Sequence, residues 1–99
     1  MKINEFPIDE LVKMACDNQM ITEDEYYGES QNRNCATARQ MVCFILREKG
    51  FNNQKISDLT GFTIPRILNS IHSLNHKSAK VNYKLEQLKR KFNEIYFTA

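Results

Sequence analysis

Between Thr63 and Leu74 the chain interleaves Pro65, Arg66, Asn69, Ser70 and Ser73 with Ile64, Ile67, Leu68, Ile71 and Leu74. The apolar set recurs at helical spacing, which predicts a helix with the polar set facing outward. Those polar types suit one chemistry: arginine can bond two acceptors on guanine, asparagine can pair with adenine, and small serine permits close approach. Arg66 and Asn69 are therefore the candidate base readers. Thr63 is expected to cap the helix, and Pro65 falls in its first turn, where a missing N–H does no harm. A solvated polar face would carry the same residue types, so the elements around this helix have to support the reading.

The segment before it supplies that support. Asn52 or Asn53 can cap a short helix carrying Ile56 and Leu59, broken at Gly61, so residues 53–74 have the layout of a helix-turn-helix. Lys55 on that short helix joins the DNA-facing candidates. Further upstream, Cys35, Ala38, Met41, Val42, Ile45 and Leu46 form one stripe and predict a core helix over 35–49, stopped by Gly50, with Phe51 folding back onto it. Ile8, Leu11, Val12 and Ala15 predict a helix from 8 to about 18, and Thr22 followed by three acids predicts a short turn of helix to Tyr27, ended by Gly28. Glu29 to Asn34 reads as an exposed loop. Val81, Leu85, Leu88, Phe92 and Ile95 predict a last helix over about 79 to 96. The expected fold is all-α, one domain over residues 1–99 with five or six helices containing a helix-turn-helix.

Other chemistries find no carrier. Cys16, Cys35 and Cys43 are odd in number and lack metal spacing, so buried reduced thiols are expected and no disulfide or metal site. His72 and His76 stand one helical turn apart, but two ligands are too few for a metal and two solvated histidines are expected. With no phosphate loop and no nucleophile motif, neither catalysis nor a cofactor is expected. No apolar run or signal pattern suggests a membrane, and a cytoplasmic location is expected. The formal net charge of +2 conceals an asymmetry. Residues 1–32 set two lysines against eight acids, a net −6, while residues 33–99 set twelve Lys and Arg against four acids, a net +8. A polyanion would meet the rear portion.

The block Ala38-Arg39-Gln40-Met41 and the segment Ile56-Ser57-Asp58-Leu59-Thr60-Gly61, with Ile67-Leu68 after it, carry a family resemblance. From Ile8 to about Phe92 the chain resembles the C-terminal DNA-binding domain (domain IV) of the bacterial replication initiator DnaA, a Trp-repressor-like helix-turn-helix. The resemblance implies that Arg39 and Gln40 contact backbone phosphates, which set register and affinity without reading sequence. It also implies that the loop before the core helix enters the minor groove, where Arg33 is the charged residue of Ser30-Gln31-Asn32-Arg33-Asn34. Where the family's recognition helix opens with Asp-His-Thr-Thr, this chain has Thr63-Ile64-Pro65-Arg66, so a changed target is expected.

The expectation is thus a stand-alone binder of double-stranded DNA, acting on transcription or replication in a bacterial setting, and not an initiator ATPase. The competing reading is a helical protein-interaction module that kept the fold and lost DNA affinity, favoured by the depleted basic loop and the altered recognition helix.

Overall fold

A computed structural model of the chain describes residues 6–28, 32–75 and 78–96. Glu29, Ser30, Gln31 and His76, which entered the expectations above, lie outside the described residues. Six helices and no strand occur among the described residues, so the all-α class is as expected: α1 (Ile8–Gln19), α2 (Glu23–Tyr27), α3 (Arg33–Glu48), α4 (Asn53–Thr60), α5 (Ile64–Asn75) and α6 (Ala79–Tyr96).

Local chemistry sets most of the boundaries. Thr22 and Glu25 form a reciprocal cap: the Glu25 amide donates to Thr22 Oγ1 at 3.1 Å and the Thr22 amide donates to Glu25 Oε1 at 3.0 Å. The helix α3 begins two residues before its expected start, because Asn32 Oδ1 accepts from the Asn34 amide at 2.7 Å and draws Arg33 and Asn34 into the first turn. At its other end Gly50 takes φ 95°, and the Phe51 amide reaches back to the Leu46 carbonyl at 3.3 Å. Phe51 then packs on the core with its ring edge-on to Phe6 at 5.2 Å, the hydrophobic contact anticipated for this stop.

One core cluster draws on all six helices, with Leu11, Tyr26, Met41, Ile56, Ile67 and Phe92 among its buried members. The helix α3 is its axis, in contact with α1, α2, α4 and α5, while α6 packs on α1. This position buries more of α3 than a single stripe, and Thr37, Arg39 and Cys43 are enclosed with the expected apolar residues. The three cysteines are buried and free, as their number and spacing suggested. Phe6 joins the chain's two ends, since it also stands 5.8 Å from Phe92 of α6.

Candidate nucleic-acid interface

The connection between α4 and α5 is short and heavily bonded. Gly61 adopts φ 80°, a left-handed conformation open to glycine without strain, and its amide donates to the Ser57 carbonyl at 2.8 Å. Ser57 Oγ donates to the Phe62 carbonyl at 2.7 Å, and the Phe62 amide donates to Thr60 Oγ1 at 3.1 Å. Asn52 Oδ1 caps α4 through the Lys55 amide at 2.9 Å, and Thr63 Oγ1 faces the Arg66 amide at 3.4 Å at the start of α5. Side chains of α4 therefore fix the angle at which α5 leaves the turn, while Ile67 and Leu74 anchor α5 from beneath.

Pro65, Arg66, Asn69 and Ser73 lie exposed on α5, and Thr63 is exposed just ahead of it. Arg66, Asn69 and Ser73 follow one another at spacings of three and four, so they share one face. Ser70 departs from the expected outward set and is half-buried, because it lies three residues after the buried Ile67 and four before the buried Leu74, on the flank that meets the core. Leu68, counted in the apolar stripe, is 46% exposed: Ile67 and Leu74 take the packed side, and Leu68 falls outside it. The exposed His72 belongs to the same outward surface. Lys55 is exposed on the first turn of α4.

Arg66 is not a loose surface arginine. Its guanidinium carbon lies 4.4 Å from the centre of the Phe62 ring. Such a stack attracts the cation to the ring face and leaves the in-plane N–H fork available for acceptors. Phe62 is itself braced, with its ring 6.4 Å from that of the buried Tyr26. The Arg66 charge also acts on the Cys43 thiol of α3, opposing burial, which nevertheless pushes that thiol up to about 12. Sequence reading passed over Phe62. The signal it offered was an aromatic placed directly before the cap of a helix whose first turn carries an arginine.

Arg39 departs from the exposed placement that a phosphate contact needs. It is buried, and its fork is spent on the end of α2: Nε donates to the Tyr26 carbonyl at 2.9 Å, and Nη2 donates to the carbonyls of Glu25 at 3.1 Å and Gly28 at 3.0 Å. The last carbonyls of a helix lack intrahelical partners, and here a side chain from α3 supplies them. A guanidinium so enclosed cannot reach a phosphate, so Arg39 serves as a clamp between α2 and α3. Its neighbour Gln40 is half-buried, and Gln40 Oε1 has no hydrogen-bond partner among the described residues. Arg33 is exposed at the start of α3 and lines a cleft to which α5 contributes no residue. The ten candidates thus divide: Pro65, Arg66, Asn69 and Ser73 are exposed on α5 with Thr63 just ahead of it, Ser70 is half-buried on the same helix, Lys55 is exposed on α4, and Arg33, Arg39 and Gln40 belong to α3.

Among the described residues no group of three metal-ligating side chains comes together, and no helix is long and apolar enough to cross a membrane. Compared with protein-family models, curated proteins and solved structures, the chain gave no match in any of the three.

Proposed function

We propose that the chain is a binding module for double-stranded DNA, with α5 as the helix that enters the major groove and α4 as its brace. The observation that carries the reading is the Arg66–Phe62 stack at 4.4 Å, in the first turn of a helix whose exposed face continues through Asn69 and Ser73. The first turn of such a helix is where base edges are commonly met, and a bidentate arginine reads guanine there. Thr63 and Lys55, exposed at the starts of α5 and α4, are the proposed backbone contacts. No catalytic step is assigned, and the role is regulatory, in bacterial transcription or replication, by its resemblance to the initiator domain.

Selection of bound sequences from a random duplex pool, followed by affinities at one fixed salt concentration, tests this reading. Arg66→Ala should cost ~1 to 3 kcal/mol on the selected site and much less on random duplex. Equal losses on both would reduce Arg66 to a phosphate contact. A second reading is favoured by Leu68, a branched apolar side chain of α5 that is 46% exposed. On that reading α5 docks on a protein, and wild-type chain would show no salt-dependent affinity for any duplex.

A further inference from the structure

A cleft with a volume of about 310 Å³ lies between the end of α1, the start of α3 and the start of α6. Its walls carry Arg33, Lys80 and Lys84, with the polar side chains of Asn34, Thr37 and Ser78 between them, and among the described residues no acidic one lines it. Three cations are therefore brought together from two helices that lie far apart in sequence. Among the described residues none of the three makes an ion pair. Like charges repel when held together, so the arrangement favours an anion among them.

The backbone adds to the same field. Arg33 and Asn34 open α3, which has sixteen residues, and Lys80 and Val81 lie in the first turn of α6, which has eighteen. Two helix N-termini thus converge on a cleft already lined by three positive side chains, and each terminus carries partial positive charge. The wall is held in place before any ligand arrives. Asn18 Nδ2 donates to the Lys84 carbonyl at 3.0 Å, tying the end of α1 to α6. Gln19, buried at the cleft's edge, donates through Nε2 to Asn18 Oδ1 at 2.8 Å.

We infer that this cleft is a binding site for a phosphate group, held by Arg33, Lys80 and Lys84. Its volume is at the lower end of the range for small-molecule sites, which suits one or two linked phosphates better than a whole nucleotide. The inference stands apart from the α5 reading, since no α5 residue lines the cleft.

The probe is inorganic pyrophosphate, titrated at constant ionic strength into the full chain labelled for amide nuclear magnetic resonance. Saturable shifts are expected at residues 33–37 and 79–84. Lys80→Glu should weaken binding at least tenfold with the circular dichroism spectrum unchanged, and the milder Lys80→Gln provides a second variant should the first fold poorly. Arg90→Glu makes the same charge change further along α6, on an exposed residue outside the cleft, and should alter binding less than twofold. Equal losses in Lys80→Glu and Arg90→Glu, or shifts spread evenly over all basic segments, would overturn the site. The source of the phosphate is read in a second arm: weaker duplex binding by Lys80→Glu than by Arg90→Glu assigns the cleft to a nucleic-acid backbone. Equal duplex binding by those two variants, with pyrophosphate binding lost only in Lys80→Glu, assigns it to a free phosphate compound.

Discussion

Replacing Arg39 with alanine should unfold the molecule sooner without lowering the salt slope of any duplex binding. The guanidinium supplies hydrogen bonds to the carbonyls of Tyr26, Glu25 and Gly28. A hydrogen bond to a charged group contributes about 1.5 to 3 kcal/mol net, and the buried Tyr26 contact is of that kind. Glu25 and Gly28 are exposed residues whose carbonyls water can reach once the arginine is gone, so each adds about 0.5 kcal/mol. The total is about 3 kcal/mol, a large share of the 5 to 15 kcal/mol that stabilises a typical domain. At about 4 to 8 °C per kcal/mol for a chain of this size, the melting temperature should fall by about 12 to 24 °C. Thermal melts followed by circular dichroism measure it, and hydrogen exchange should show α2 losing protection first. Arg39→Lys keeps the charge but not the planar fork, and should recover less than half of the loss. A fall below about 4 °C, together with weaker binding to every duplex and a smaller salt slope, would refute the clamp and restore the phosphate role.

Other perturbations follow from the same contacts. Phe62→Leu keeps an apolar side chain but removes the ring under Arg66, so on the selected duplex it should reproduce much of the Arg66→Ala loss while random duplex is bound as before. Gly61→Ala meets no atom within 4 Å, so its cost of about 1 to 2 kcal/mol is left-handed backbone strain alone, measurable in urea unfolding. Thr22→Ala removes the hydroxyl half of the α2 cap, leaving the backbone amide's bond to Glu25, and should cost about 1 kcal/mol in the same assay. Burial raises the Cys43 thiol from 9.0 to about 12, so the folded chain holds its proton where the unfolded chain has lost it. Stability should therefore fall as pH rises from 9 towards 12, by roughly 1.4 kcal/mol per unit from this group, and Cys43→Ala should flatten the slope.

The helices were legible because their apolar residues repeat cleanly, as Leu11, Val12 and Ala15 do in α1 and Leu85, Leu88 and Phe92 do in α6. Caps were equally legible where they are local: Thr22, Asn52 and Thr63 act within three residues of themselves. The α3 helix marks the limit. A stripe describes a helix with one packed side, and α3 is surrounded, so Thr37, Arg39 and Cys43 disappear into contacts with neighbouring helices that no periodicity encodes. Arg39 looked like a surface cation because its acceptors are backbone carbonyls, which have no sequence signature. The cleft was hidden for a related reason: Arg33 and Lys84 are separated by half the chain and meet only through the packing of α6 on α1.

Arg66 rests on Phe62, Phe62 approaches Tyr26, and the Arg39 guanidinium lies 6.0 Å from the Tyr26 ring on the inner side. Cation and ring alternate from the buried clamp to the exposed face. A free surface arginine surrenders up to about 2 kcal/mol of rotamer freedom when a partner immobilises it. Here folding has already removed much of that freedom, so an acceptor meeting Arg66 encounters a group whose direction is set. The same series exposes the face to damage from within: loosening Tyr26 by loss of the Arg39 clamp would return Arg66 to a range of orientations, and discrimination between duplexes would blur before the helices themselves melt.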